Sequence, residues 1–298
     1  MSVVLHTRHL TKDYGRHAAL RELDLDVRAG EVYGLLGPNG AGKTTTIRLL
    51  MDLIRPTRGR IVLFGEDLAT DSVRARRRMG HVPGDLVLYD RLTGEDHLRL
   101  FAALRDHPDL GEARALAKRL DLDLDRRARE LSKGNRQKLG VVLAFQHRPD
   151  LVVLDEPASG LDPLAQLEFH SYLREYAAAG GCALFSSHVL SEVEQVADRV
   201  GILLSGRLVA DARISALKAK ALRELTFTFA APVDAAAFER VAGVREVRAD
   251  GAVVRCRVAG PVGELVRVAA DLPLVNVTSQ EPDLQEIFLD YVVGDGDD

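Results

Sequence analysis

The chain has 298 residues, 46% of them apolar and 28% charged, a globular composition long enough for one large domain, or one plus a small one. A formal net charge of -4 provides no overall basic field, so nucleic acid is not an expected partner. Cys182 and Cys256 lie far apart without a CxxC neighbour, which argues against a disulfide framework or a zinc site and fits a reducing compartment.

The N-terminal MSVVLHTRHLTKDYG has neither a long apolar core nor a cleavage site and does not read as a signal peptide. EVYGLLG then reads as a buried strand, and KTTTIRLLMDLI as a helix stopped by Pro56. GRIVLFGEDL is a second strand. The basic stretch VRARRRM, residues 73–79, reads as a solvated helix face, with a contact to lipid headgroups or a partner loop as the alternative. EDHLRLFAALRD and GEARALAKRLDL are amphipathic helices, and after a polar turn a further helix begins near Gln137. LVVLDEP is a strand, PLAQLEFHSYLREYAAAG a helix, CALFSSH a strand, SEVEQVADRV a helix and VGILLSGRLVADA a hairpin-like pair. This alternation predicts an α/β domain with a mainly parallel sheet over about residues 1–221. No apolar run approaches the about 20 residues of a membrane helix, so any crossing of a membrane falls to another chain.

The pattern changes near residue 222. SALKAKALREL is Ala-rich and helical, and shorter elements follow in the order strand, helix, strand, strand, helix, strand. That order predicts a small α+β, ferredoxin-like domain over 222–298. A last helix, DLQEIFLDYVV, places Leu284, Ile287, Phe288 and Tyr291 on one face, before an acidic tail.

GPNGAGKTT, residues 37–45, fits the pattern GxxxxGK[ST] in full, after a strand and before a helix. Gly37, Gly40 and Gly42, with Pro38, Asn39 and Ala41 between them, let the backbone curl its N–H groups around a polyphosphate. The helix beginning at Lys43, Thr44 and Thr45 adds a favourable dipole. Lys43 supplies a point charge for the β and γ phosphates, and the Thr44 hydroxyl a ligand for Mg²⁺. Downstream, LVVLDEP ends a strand on Asp155 and Glu156. Neighbouring strand residues point opposite ways, so one carboxylate can hold the magnesium shell while the other faces a water.

With these residues in place, the chain resembles the nucleotide-binding subunit of ABC transporters over about residues 1–220. GPNGAGKTT is then the Walker A motif and LVVLDE the Walker B motif. Tyr14 stands where the family stacks an aromatic ring on adenine. LSKGN falls at the LSGGQ-like signature, SGLD at the D-loop, and His188 at the switch histidine. The resemblance implies a P-loop NTPase fold with a helical subdomain over about 85–148. It implies ATP and Mg²⁺ as cofactors, with Asp155 on the metal shell. Glu156 polarises the attacking water, an effect typically worth about 10²–10⁴ in rate, and His188 contacts the γ phosphate. Two subunits pack head to tail in an ATP-dependent homodimer. Ser132, Lys133 and Gly134 of one copy, with Asp162 of the D-loop, then serve the nucleotide on the other. Ser132 also reads as an ordinary helix N-cap.

The chain departs from the family in two places. The signature is LSKGN instead of LSGGQ, which keeps Ser132 and Gly134. In GHVPGDLVLYD the position of the family's Q-loop glutamine is Gly84, which has no side chain to offer a metal or a water. VPGD-like loops with SKGN-like signatures resemble export-type ATPases, and EPDLQEIFLDYV resembles the ending of ABC-2-type export ATPases. The expected function is an ATP-hydrolysing subunit at the cytoplasmic face of the membrane, driving export through a separate transmembrane permease. A soluble ABC ATPase acting on ribosomes or DNA, or a weakly hydrolysing regulatory ATP binder, stays open as an alternative. The C-terminal domain is expected to regulate, to stabilise a dimer, or to be a passive appendage.

Overall fold

A computed structural model describes residues 2–220 and 222–280. The expected helix at 283–293, the acidic tail after it and the ending EPDLQEIFLDYV lie outside the described residues. In chain order the elements are β1 (Val3–Tyr14), β2 (His17–Leu23), β3 (Asp26–Arg28), β4 (Val32–Leu36), α1 (Lys43–Leu50), β5 (Arg58–Leu63), β6 (Glu66–Asp67), α2 (Ser72–Arg77) and β7 (Met79–Val82). Then come α3 (Gly94–Arg105), α4 (Gly111–Arg119), α5 (Lys133–Phe145), β8 (Leu151–Asp155), α6 (Pro163–Ala178), β9 (Cys182–Ser187), α7 (Leu190–Val196), β10 (Arg199–Leu204) and β11 (Arg207–Arg213). The rest are α8 (Ile214–Lys220), β12 (Arg223–Phe229), α9 (Ala236–Glu239), β13 (Val244–Asp250), β14 (Val253–Val258), α10 (Gly263–Ala270) and β15 (Leu274–Gln280). They fall into two compact units, up to Asp211 and from Ala212 onward.

In the first unit, the central sheet has the strand order β11-β10-β4-β9-β8-β7. The pairs from β10 to β7 are all parallel. β4, β8 and β9 are buried at every residue, which is why they read as unbroken apolar runs. A second, antiparallel sheet joins β2, β1, β5 and β6, with β3 on β1. It has no counterpart in the sequence reading of residues 1–30. In β1 the backbone turns left-handed at His9 (φ +46°) and the register with β5 slips, so neighbouring Leu10 and Thr11 are both buried. That bulge breaks the period-2 signal on which strand recognition depends.

One apolar core lies between the two sheets. Leu5, Leu10, Leu20 and Leu63 of the antiparallel sheet meet Tyr33, Leu35, Val153 and Leu184 of the parallel one, with Ile47 and Leu50 of α1. Each fully buried side chain of this size contributes about 1.5–3 kcal/mol. Helices α3, α4 and α5 follow one another, with α5 beginning at Lys133, four residues before the expected start near Gln137, because Ser132 caps it. α3 opens with a reciprocal capping box between Thr93 and Asp96. α5 is buried continuously from Gln137 to Phe145.

The second unit has the sheet order β13-β14-β12-β15, every pair antiparallel. After α8 its elements run strand, helix, strand, strand, helix, strand, the split βαβ arrangement. It has a core of its own. Phe227, Phe229 and Phe238 pack with ring centroids 5.5–6.4 Å apart, and Val254, Cys256, Val258 and Leu265 complete it. The helix expected through Leu225 stops earlier: α8 ends at Lys220, and Arg223 already begins β12.

Candidate functional site

Parallel strands bring their C-terminal ends to one edge, where open α/β sheets form their binding crevice. Leu36 at the end of β4 is in register with Ser187, and Ser186 with Asp155. The P-loop after β4, the carboxylates after β8 and His188 after β9 therefore meet at that edge.

The P-loop is shaped by close backbone approach. A Cβ on Gly37 would stand 2.3 Å from the Leu203 carbonyl oxygen, and one on Gly42 would stand 2.6 Å from that of Ala19. Gly40 and Gly42 also adopt φ of +82° and +109°, the left-handed region that favours glycine. Gly42 is the N-cap of α1 and supplies no side-chain cap, and no acidic residue stands in the first turn. The first N–H groups of α1 are thus left without the usual side-chain acceptor. Pro38, Asn39 and Gly40 are exposed at the tip, Ala41 is buried, Thr44 is exposed and Thr45 half-buried. Lys43 is buried, and its ammonium donates to the carbonyls of Gly37 (2.7 Å) and Pro38 (3.1 Å). Burial lowers its pKa, while the charges of Glu156 and Asp155 push it back up.

Asp155 is buried. Its Oδ1 accepts from the Ser186 hydroxyl at 2.5 Å. The same Ser186 oxygen accepts from the Glu156 N–H at 3.0 Å. Ser186 thus ties the two acidic residues together, a role the sequence reading did not assign. Its signal was the strand register, which a single sequence does not display. Glu156 has left the strand, with φ +49°. Strand alternation therefore does not separate the carboxylates. The left-handed turn does, and both face one cleft of about 410 Å³ with Thr44, His81, Gly84 and Asp85. The Glu156 carboxylate lies 3.0 Å from His188 Nδ1. A Cβ on Gly84 would stand 3.1 Å from Asp155 Oδ2, so any side chain at this position would press on that second oxygen. His81 Nδ1 lies 2.7 Å from the Val153 carbonyl oxygen. Burial lowers the His81 pKa, against smaller opposing effects of that bond and of Asp155.

The signature residues stand apart from this cleft. Ser132 is the N-cap of α5 and accepts from the Asn135 N–H at 3.2 Å. A Cβ on Gly134 would stand 2.6 Å from the Gly160 carbonyl oxygen, and the Lys133 stem lies 3.6 Å from where a Cβ on Gly160 would be. Gln137 donates to the Pro157 carbonyl at 3.1 Å, and buried Lys138 pairs with Asp162 at 3.2 Å. Asp162 caps α6 by accepting from the Ala165 N–H, which with Lys138 holds its carboxyl below the usual range. The start of α5 is thus fixed to the segment leaving Asp155 and Glu156. Tyr14 ends β1, half exposed, with the Lys12 ammonium 5.1 Å from its ring centroid. The strand paired with it, β2, supplies the Ala19 carbonyl against Gly42.

The residues present fit a nucleotide polyphosphate with a divalent cation. The first turn of α1 lacks a side-chain cap, the buried ammonium beside it suits anionic oxygens, and Thr44 and Asp155 Oδ2 are hard oxygen donors suited to magnesium.

Comparison with known proteins agrees. A family model described as ABC transporter matches residues 20–159. A bacitracin transport ATP-binding protein of Bacillus licheniformis is 33% identical over 308 residues, covering 99% of this chain and 99% of that protein. The Nod factor export ATP-binding protein I of Cupriavidus metallidurans is 35% identical over 218 residues, covering 72% of each. A solved ATP-binding subunit of an ABC transporter is 35% identical with a TM-score of 0.66, covering 72% of this chain and 92% of that one. The chain therefore belongs to the ATP-binding proteins of the ABC transporter family.

Proposed function

We propose that this ATP-hydrolysing subunit drives export through a separate membrane-spanning partner, and that ATP is held between two copies packed head to tail. The observation that carries the reading is the division of the motifs. Thr44, Asp155 and Glu156 line one cleft, with Lys43 and His188 beside the carboxylates, while Ser132 bonds within α5, Gly134 lies against Gly160, and neither lines that cleft. A signature outside the cleft of its own chain is accounted for by a second copy.

In this reading the P-loop amides and Lys43 bind the β and γ phosphates, and Thr44 and Asp155 hold Mg²⁺. The cation, when bound, neutralises charge on the phosphate oxygens. Glu156 orients and deprotonates the attacking water. His188, within hydrogen-bond reach of Glu156, keeps that carboxylate aimed and senses the γ phosphate. Tyr14 stacks on the adenine. Among the described residues no helix is long and apolar enough to cross a membrane. Leu53, Val87 and Tyr89 expose large apolar surface in and after the segments that line the cleft, which suits a membrane partner's docking segment. Attachment to that partner gives the chain its place at the cytoplasmic face.

The test is Glu156→Gln, measured by light scattering. The variant binds Mg-ATP without splitting it, so it should double in mass only with the nucleotide, and adding Ser132→Arg should reverse this. A constant monomer with ATP bound would count against a composite site formed by this chain alone, and a constant dimer would point to the second unit as the glue.

A further inference from the structure

His81 carries a polar function that the P-loop and the two carboxylates leave open. It sits on β7 opposite Val153, and it lines the cleft with Thr44, Asp155, Glu156, Gly84 and Asp85. A carbonyl oxygen can only accept, so the 2.7 Å contact to Val153 places the proton on Nδ1. Nε2 of the neutral ring then keeps a bare lone pair. An imidazole held by a backbone carbonyl through one nitrogen is oriented to use the other.

The neighbouring oxygen is also defined. Asp155 Oδ1 is taken by Ser186, and Oδ2 faces Gly84, which has no side chain to cover it. Among the described residues no three His, Cys, Asp or Glu side chains come together to hold a metal by themselves. A cation at Thr44 and Asp155 therefore keeps several waters, as magnesium does. Those waters need acceptors.

We propose that His81 is a positioning residue whose Nε2 accepts a hydrogen bond from a water of the Mg²⁺ shell beside Asp155. This rests on the nucleotide-site reading above. It makes the cleft selective for a hydrated cation with a water on the Gly84 side.

Two substitutions separate this role from a structural one. In His81→Asn the amide stands near the Nδ1 position and can still donate to Val153, but nothing reaches the Nε2 position. In His81→Gln an acceptor reaches the Nε2 position and the bond to Val153 is lost. The measurement is affinity for a fluorescent ATP analogue in EDTA and across a Mg²⁺ titration, with melting temperature alongside. His81→Asn should raise the half-saturating Mg²⁺ about fivefold, the worth of one hydrogen bond, with affinity in EDTA unchanged. His81→Gln should stay near wild type. A loss in His81→Gln, alone or together with His81→Asn, overturns the proposal. So does an unaffected His81→Asn, or a loss of equal size with and without Mg²⁺. A wild-type chain that binds no Mg-ATP would remove the nucleotide reading as well, whereas failure confined to the variants touches His81 alone.

Discussion

Lys43 and Ser186 show two ways in which a buried polar side chain serves this site. The Lys43 ammonium is out of water and held by two carbonyls, which orient the charge without neutralising it. Lys43→Ala should weaken ATP binding by about 10- to 150-fold, the equivalent of one charged hydrogen bond, as read by equilibrium titration. Unchanged affinity would mean that the loop amides suffice. Ser186 accepts from the Glu156 N–H and donates to Asp155. Ser186→Ala leaves both groups short of a partner and should cost about 1–3 kcal/mol of stability. It should also lower kcat, because the left-handed turn at Glu156 loses its tether. Thermal unfolding and turnover measure the two effects separately. The acidic pair and the lysine were legible in the sequence because their motifs are local. Ser186 was not, because its role comes from pairing between β8 and β9. The separate tasks of Asp155 and Glu156 were expected from strand alternation. The backbone of Glu156, at φ +49°, does the separating.

At the scale of elements, α5 is coupled to the strand edge through the segment between β8 and α6. Gly134 approaches the Gly160 carbonyl too closely for a side chain, Gln137 holds Pro157, and Lys138 holds Asp162. The segment after Glu156 is thus joined to α5 by a close backbone approach, a hydrogen bond and an ion pair. Gly134→Ala forces a Cβ to 2.6 Å from a backbone oxygen. It should destabilise the nucleotide-free protein by about 1–3 kcal/mol, the usual cost of overpacking. A melting temperature that falls only in the presence of ATP would instead assign Gly134 wholly to the phosphate. Elements with an unbroken apolar run or period were readable before the structure: the buried strands β4, β8 and β9, and the helices α3 and α6. In the antiparallel sheet the segment of β5 and β6 was read as one strand, whereas β1 was not read, because the bulge at His9 places two neighbouring residues on the inside. Nor was the start of β12, where the helical Ala-rich composition runs on into a strand whose neighbours decide its state.

For the whole molecule, the decisive feature is that each unit has its own core. Leu, Val and Ile side chains between two sheets hold the first unit, and a cluster of three phenylalanines with aliphatic neighbours holds the second. The catalytic and phosphate-binding candidates lie in the first unit, whereas β12 to β15 belong to the second. Ending the chain after Lys220 leaves β11 intact beside β10. We expect that shortened chain to unfold in one cooperative transition and to keep its affinity for ATP. The ATP-dependent doubling of mass in Glu156→Gln should survive if the P-loop, carboxylates and signature are sufficient for assembly. If the shortened variant binds ATP and stays monomeric, the second unit holds the dimer together. If it is insoluble, the two cores depend on each other, and the separation into units describes geometry without independent stability.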